Sequence, residues 1–183
     1  MAKIAIIGAG GFGISLAIAA HQNHHDVTVW DISEEIVSAI LRDGEHKTKL
    51  PGVPIPKEIR FTCDPTCLKE KSVVVFVVPS RFIRSVAQQV KPYLDGDAVL
   101  VNASKGLEEE TYLTMSQVIQ SEYPHHAVGV ITGPSHAEEV GRGVPTSVVA
   151  ASVQEAAALK IQDIFSSSTF RIYINDDPVG CEI

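Results

Sequence analysis

The residues Lys3-Ile-Ala-Ile-Ile-Gly8-Ala-Gly10-Gly11-Phe12-Gly13 open the chain and decide its fold. A short apolar run of buried-strand character leads into three glycines spaced G-x-G-x-x-G, and an apolar helical pattern follows over residues 14–20. A second strand-like run, Val27–Trp30, ends at Asp31, eighteen residues after Gly13. Strand, glycine turn, helix, strand and acid in this order predict a βαβ unit that binds a dinucleotide.

Each residue of this motif has a separate physical task. Gly8 lets the strand turn sharply, because a residue without Cβ adopts backbone angles that are closed to others. Gly10 lets the backbone approach a pyrophosphate, and Gly13 lets the helix pack closely on the sheet. The free N–H groups at the helix start then face the two phosphates. The alternative is a glycine-rich turn without function, which the complete motif disfavours.

Asp31 determines the expected cofactor. Its carboxylate would accept hydrogen bonds from the adenosine ribose hydroxyls and would repel a 2′-phosphate. We therefore predict that NAD(H) is preferred, with NADP(H) as the alternative. Equal or better Michaelis constants for NADPH in the complete enzyme would contradict this prediction.

Composition excludes several classes of function. The 183 residues correspond to one domain, and 45% hydrophobic with 20% charged residues is typical of a soluble globular protein. A net charge of −7 without a basic block argues against nucleic acid and membrane surfaces as partners. No apolar run reaches the roughly 18 residues that span a bilayer. Because the motif begins at Lys3, we expect no signal peptide and a cytoplasmic location.

Cysteines and histidines do not predict a metal site. The three cysteines, Cys63, Cys67 and Cys181, form no disulfide framework, which is typical of a reducing compartment. Cys63 and Cys67 have no second ligand pair at zinc-site spacing. The pairs His24-His25 and His125-His126 each precede a strand-like run, so we interpret them as surface turns.

Strand-like runs alternate with helical patterns along the chain. Short, almost wholly apolar strands between helices predict a parallel sheet that is covered on both faces and doubly wound. The strand-like runs are residues 4–7, 27–30, 73–78, 98–102 and 127–131, and the helical patterns are 11–22, 33–42, 80–91 and 112–121.

Two segments depart from this alternation. Residues 44–56 hold three prolines without a helical period, which predicts a loop. After Pro145, a strand over 147–151, a helix over 153–165 and a strand over 170–174 form a closing unit that we expect to run partly antiparallel to the sheet. The predicted fold is therefore α/β, a Rossmann-type doubly wound, mostly parallel sheet with a C-terminal mixed-strand extension.

Three further segments are expected at the carboxyl edge of the sheet, where ligands of such folds bind. Residues 77–80 leave one strand through Pro79, and Ser80 could cap the next helix. Residues 103–108 leave the following strand and bring Lys105 to the same edge. Residues 132–138 leave the strand after that and bring a hydroxyl, Ser135, to a helix start.

Seven stretches of the chain, in order, resemble the N-terminal half of the NAD(P)-dependent glycerol-3-phosphate dehydrogenases. They extend along essentially the whole chain, and SKG, GPS-x-A-E and N-D-D are far more specific than the glycines. The stretches are GAGGFG at 8–13, LPGVPIP at 50–56, VPS at 78–80, SKGLE at 104–108, TGPSHAEEV at 132–140, GVPTSVV at 143–149 and FRIYINDDPVGCE at 170–182.

The resemblance implies NAD(P)-dependent reduction of dihydroxyacetone phosphate to sn-glycerol 3-phosphate, a glycerophospholipid precursor. It also implies a catalytic role for Lys105 near nicotinamide and substrate, where a positive charge suits an electron-rich carbonyl or phosphate. The implied substrate contacts are Lys105, Gly133 and Ser135. The cofactor contacts expected from motif and resemblance together are Gly8, Gly10, Gly11, Phe12, Gly13, Asp31, Lys49, Pro79, Lys105 and Ala137. Lys49 stands where the family usually carries an aromatic contact.

Simpler interpretations exist for several of these residues. Lys105 could be an ordinary solvated lysine, and Ser135 could cap a helix without excluding ligand contact. Asp176 and Asp177 are better explained by an acidic turn ahead of a proline than by a metal site. His136 occupies a position that is apolar or aromatic in the family, so we assign it no chemistry.

We expect residues 1–183 to form one dinucleotide-binding domain. The resemblance implies that the family's general-acid lysine lies beyond Ile183, after a Gly-Gly-Ala motif, and that the arginine clamping the substrate phosphate belongs to a helical domain absent from this chain. The hypothesis is that the chain binds NAD(H) without turning over substrate, while the full-length form could be a homodimer. The alternatives are a stand-alone NAD-binding or redox-sensing module, and a hydroxy-acid or sugar-acid dehydrogenase, which the SKG and GPS loops disfavour.

Overall fold

The computed structural model describes residues 1–94 and 96–183. Its strands are β1 (Lys3–Ile7), β2 (Asp26–Trp30), β3 (Arg60–Thr62), β4 (Val73–Phe76), β5 (Val99–Asn102), β6 (Val128–Thr132), β7 (Thr146–Ala151) and β8 (Phe170–Asn175). They form one sheet in the order β3-β2-β1-β4-β5-β6-β7-β8. Strands β1 to β6 are parallel, β7 is antiparallel to β6, and β8 is parallel to β7. The predicted fold and its mixed C-terminal extension are confirmed.

Helices cover both faces of this sheet. They are α1 (Gly11–Gln22), α2 (Glu34–Asp43), α3 (Ile83–Val90), α4 (Met115–Glu122), α5 (Ala137–Gly141), α6 (Glu155–Phe165) and α7 (Pro178–Glu182). In the part of the chain that the structure describes, no helix is long and apolar enough to cross a membrane.

Two apolar cores lie on opposite faces of the sheet, because successive strand residues point to opposite sides. In β1, Ile4 and Ile6 belong to the core under α1, α2 and α6, whereas Ala5 and Ile7 belong to the core under α3 and α4. Helix α1 is buried continuously over residues 13–20, since it packs against α5 and α6 as well as the sheet. This central position fixes the start of α1 beside the end of β1.

The predicted helix over 80–91 is wrong in its boundaries. The structure has a 3-10 turn at Ser80–Phe82, then α3, then a second 3-10 turn at Lys91–Tyr93. Ser80 does not cap α3, because Phe82 holds the N-cap position. The predicted helix over 112–121 also begins late, since Tyr112 has a left-handed φ of 57°.

Three short elements differ from what the sequence patterns predicted. The sequence patterns did not predict β3, in which Phe61 is the buried residue. The sequence patterns predicted only a helix start where α5 lies, and an acidic turn where α7 lies. The side chain of Asp177 accepts a hydrogen bond from the Gly180 N–H and caps α7, so this carboxylate has a structural role.

Candidate functional site

The candidate site lies along the carboxyl edge of the sheet. Because β1, β2, β4, β5 and β6 are parallel, the loops that follow them emerge at one edge. Strand β1 is flanked by β2 and β4, so the chain winds outward in both directions from this point. Such a topological switch is where open α/β sheets bind their ligands.

The glycine loop joins β1 to α1 through a sharp turn. Gly8 has a φ of 111°, and its N–H donates to the carbonyl oxygen of Trp30 at 2.8 Å. A Cβ on Gly13 would lie well inside van der Waals contact of the Gly8 carbonyl oxygen, so a glycine is needed for this approach. Gly10 is the N-cap of α1 and supplies no side-chain acceptor, which leaves the first N–H groups of the helix available to an anion.

Asp31 fastens the glycine loop to the end of β2. Its Oδ2 accepts a hydrogen bond from the Ala9 N–H at 2.7 Å, and its Oδ1 accepts one from the Ser33 N–H at 2.9 Å. The sequence suggested a ribose contact and missed this structural role. Each carboxylate oxygen has two lone pairs, so the two roles are compatible.

The loop over residues 44–56 lies across the start of α1. A Cβ on Gly11 would collide with the Lys49 carbonyl oxygen, so the two backbones are in close contact. The Lys49 side chain is exposed, whereas Leu50 is fully buried. Phe12 is partly buried against the core beneath α1. Lys49 is therefore brought beside the glycine loop, as its expected role requires.

Lys105 and the two residues expected on the substrate side lie together beyond β5 and β6. Lys105 is exposed, and its Nζ donates a hydrogen bond to the Gly133 carbonyl oxygen at 3.2 Å. The Ser135 Oγ lies 3.5 Å from the same oxygen. Ser135 does not cap α5, because His136 holds the N-cap position. The Lys105 ammonium and the Ser135 hydroxyl thus converge on a single carbonyl oxygen.

The backbone that carries Lys105 is fixed by buried polar contacts that the sequence did not reveal. Asn102, at the end of β5, is 1% exposed; its Oδ1 accepts from the Ser104 N–H and its Nδ2 donates to the Ser104 carbonyl. The Ser104 Oγ donates to the Val78 carbonyl at 2.6 Å, one residue before the exposed Pro79. The β4 and β5 loops are therefore joined directly.

An ion-pair network holds the far end of the same loop. The Arg84 guanidinium donates two hydrogen bonds of 2.7 Å to the Glu108 carboxylate and a third to Glu122. This pairing lowers the pKa of Glu108 to about 2 and raises that of Arg84. The sequence places Glu108 in the SKGLE motif but does not predict its pairing with Arg84.

Ala137 begins α5, which lies on the first half of α1. The buried Ser15 Oγ is 2.7 Å from the Ala137 carbonyl oxygen and 2.9 Å from that of Gly11. The contact brings the loop after β6 beside the glycine loop after β1. Ala137 and the glycine loop, both expected to contact the cofactor, are therefore neighbours.

Cysteines and histidines form no cluster here. All three cysteines are free, and no group of three or more potential metal ligands occurs within residues 1–94 and 96–183. Burial raises the pKa of the Cys67 thiol to about 11. His24 and His125 are exposed residues of turns, as predicted, whereas their neighbours His25 and His126 are partly buried, and the His25 Nδ1 accepts a hydrogen bond from the Ala2 N–H.

Comparison with known proteins identifies the family. The model of the NAD-dependent glycerol-3-phosphate dehydrogenase N-terminus matches residues 3–158. The chain belongs to this family. The match includes the glycine loop, Asp31, Lys105 and the loop after β6, so the predicted resemblance is confirmed.

Individual relatives agree with this assignment. The chain is 40% identical over its whole length to a glycerol-3-phosphate dehydrogenase [NAD(P)+] of Fusobacterium nucleatum, and 44% identical over 98% of its length to that of Moorella thermoacetica. It covers 56% and 54% of these proteins, so it spans about half the length of the curated relatives it matches. The crystal structure of glycerol-3-phosphate dehydrogenase from Coxiella burnetii superimposes with a TM-score of 0.93 at 30% identity, over 99% of this chain and 56% of that one.

Proposed function

We propose that this chain is the cofactor-binding half of an enzyme that reduces dihydroxyacetone phosphate to sn-glycerol 3-phosphate with NAD(H). The observation that carries the proposal is the meeting of two groups of residues at one sheet edge. The glycine loop and Asp31 follow β1 and β2, and Lys105, Gly133 and Ser135 follow β5 and β6. A dinucleotide laid along this edge would extend from the first group to the second.

On the adenosine side, this chain would bind the cofactor mainly through its backbone. The N–H groups at the start of α1 suit the pyrophosphate, and the Asp31 carboxylate suits the ribose hydroxyls. A fixed negative charge beside the ribose disfavours a 2′-phosphate, so we expect NAD(H) to bind more tightly than NADP(H). Lys49, Phe12 and Pro79 would line the same path.

On the substrate side, Lys105 would orient and polarise. When bound, the nicotinamide supplies the hydride for the reduction. The Lys105 ammonium, released from the Gly133 carbonyl, would stabilise negative charge on the substrate carbonyl or phosphate. Ser135 and the Gly133 backbone would hold the substrate beside it, with Ala137 contacting the cofactor through its backbone.

The division into domains is part of this proposal. Residues 1–183 would form the dinucleotide-binding domain, and a separate helical domain would supply the general-acid lysine and the phosphate clamp. Without those groups, proximity and acid catalysis are lost, so we expect no turnover by this chain alone. The full-length form is proposed to be cytoplasmic and homodimeric; the three free cysteines are consistent with a reducing compartment.

The test is calorimetric titration of the chain with NADH and with NADPH. We expect saturable binding with a preference for NADH. The readout is the ratio of the two dissociation constants. Asp31 also holds the Ala9 and Ser33 backbone, so its loss should weaken the binding of both cofactors, and only the ratio reports the contact with the ribose. In Asp31→Ala the ratio should fall towards one.

Asp64→Ala provides a matched control. Asp64 likewise follows a strand and accepts a hydrogen bond from a backbone N–H, that of Thr66, but it follows β3, which lies one strand further from the glycine loop than β2. This variant should keep the wild-type ratio. If the wild-type chain binds neither cofactor, or Asp31→Ala keeps the preference, the proposal is wrong. Measurable NADH oxidation with dihydroxyacetone phosphate would contradict the expected inactivity and exclude a module without catalysis.

A further inference from the structure

Glu182, the last residue of α7, reaches back to the loop that carries Lys105. Its Oε1 accepts hydrogen bonds from the Asn102 Nδ2 at 2.6 Å and from the Ser116 N–H at 3.0 Å. Its Oε2 accepts a hydrogen bond from the Ser116 hydroxyl. Three donors from β5 and α4 thus converge on one partly buried carboxylate.

The position of this carboxylate suits a negative charge. Ser116 is the second residue of α4, whose first N–H groups have no partner within the helix. Thr114 and Gln117 form a capping box that satisfies part of this helix start, and Glu182 satisfies the Ser116 N–H. The partial positive charge at the start of α4 stabilises the carboxylate there.

Asn102 converts this contact into a constraint on the site. Its Nδ2 donates both to Glu182 and to the Ser104 carbonyl, while its Oδ1 accepts from the Ser104 N–H. A rotated amide would turn its oxygen towards the Glu182 carboxylate and the Ser104 carbonyl, which are both acceptors. Glu182 therefore reinforces the amide orientation that holds Ser104, and Lys105 is the next residue.

We propose that Glu182 is a positioning residue for Lys105 and acts through Asn102 and the Ser104 backbone. Asn102 is buried, so removing the Glu182 carboxylate takes away one of the two acceptors of its Nδ2 and weakens its hold on Ser104. The effect on ligands rests on the proposed function, whereas the effect on Ser104 does not.

The first test is amide hydrogen exchange at Ser104, measured by NMR on the 15N-labelled chain without ligand. In Glu182→Ala we expect Ser104 exchange to accelerate by about tenfold or more, as local opening becomes easier. In Glu182→Gln the exchange rate should stay close to that of the wild type, because the amide oxygen can still accept from Asn102 and Ser116. Unchanged exchange in Glu182→Ala would overturn the proposal.

Gln117→Ala separates positioning from a general effect on α4. It opens the capping box of α4 but leaves Glu182 and Asn102 in contact. We expect this variant to lower thermal stability without accelerating Ser104 exchange. If Gln117→Ala accelerates that exchange as much as Glu182→Ala, the effect belongs to α4 stability and the relay through Asn102 is wrong.

The second test compares NADH with ADP-ribose, which lacks the nicotinamide. Glu182→Ala should weaken NADH binding by about fivefold, which is within the range of coupling between residues in contact, and should leave the affinity for ADP-ribose unchanged. Adding Glu182→Ala to Lys105→Ala should produce no further loss, since Glu182 acts through Lys105. Additive losses, or equal weakening of both ligands, would refute the positioning role. Failure of the wild type to bind NADH would refute the proposed function. The Ser104 exchange rates would still show whether Glu182 holds Ser104 through Asn102.

Discussion

Gly10 offers a clean separation between folding and cofactor binding. A Cβ built on it meets no atom within 4 Å, and its φ of −72° and ψ of 173° suit any residue. Replacing glycine by alanine at such a position stabilises a protein by about 0.4–1 kcal/mol through the unfolded state. Alanine is a poorer N-cap than glycine, which offsets part of this gain. The net change in unfolding free energy for Gly10→Ala should therefore stay within about 1 kcal/mol.

Binding should respond in a different way. The open space beside Gly10 is where the pyrophosphate is expected, at the start of α1, and a methyl group would occupy it. We expect Gly10→Ala to weaken NADH by about tenfold or more, which is about 1.4 kcal/mol of binding free energy. The loss should be shared by ADP-ribose, because both ligands carry the pyrophosphate.

Gly13→Ala is the contrasting variant. There a methyl group would overlap the Gly8 carbonyl oxygen, so α1 must move away from β1. Overpacking of this kind costs about 1–3 kcal/mol. Urea unfolding and calorimetric titration of both variants give the two free energies. Undiminished NADH binding by Gly10→Ala would refute the assigned path of the pyrophosphate. A large loss of stability in Gly10→Ala would refute the argument that the space beside Gly10 is open.

Two further predictions concern contacts that support the site. Arg84→Gln should destabilise the chain most above pH 4.5. The difference from wild type in the free energy of urea unfolding should shrink as the pH falls towards 2. The reason is that Arg84 lowers the pKa of Glu108, and the ion pair stabilises the fold only while the Glu108 carboxylate is charged. A pH-independent difference would show that the pair contributes nothing. Ser15→Ala should lower the free energy of unfolding by about 1–3 kcal/mol, because it leaves the Ala137 carbonyl without its buried hydrogen-bond donor. Ser85→Ala removes an exposed hydrogen bond to the Phe82 carbonyl and should be nearly neutral in the same unfolding assay.

Much of the fold could be predicted because its strands are short, apolar and buried. The runs that became β1, β2, β4, β5 and β6 alternate with helical patterns, and this alternation determines a parallel sheet. Strand β3 escaped prediction, since three residues with a single buried Phe61 carry no period. Helix α7 was missed although Asp177 followed by Pro178 is a good helix start, because the acidic pair favoured a turn.

The sequence predicted which loops meet at the candidate site, but not the contacts that hold those loops in place. Glycine spacing and strand ends predicted which loops lie at the carboxyl edge, because parallel strands share that edge. The capping roles suggested for Ser80 and Ser135 were wrong, since Phe82 and His136 hold the N-cap positions. The contact between Asn102 and Glu182 joins residues eighty positions apart, and no local pattern reports such a pairing.

The two ends of the candidate site are held by different contacts. The glycine-loop end is held by the hydrogen bond from the Ala9 N–H to the Asp31 carboxylate, by the close approach of Gly11 to the Lys49 backbone, and by the Ser15 hydroxyl next to the Ala137 carbonyl. The Lys105 end depends on side-chain hydrogen bonds that pass through Asn102 to α7. A change in the position of α7 should therefore alter the lysine while leaving the glycine loop intact. Such a change should leave the binding of ligands that contact only the glycine-loop end unaffected and should alter the binding of ligands that extend to Lys105.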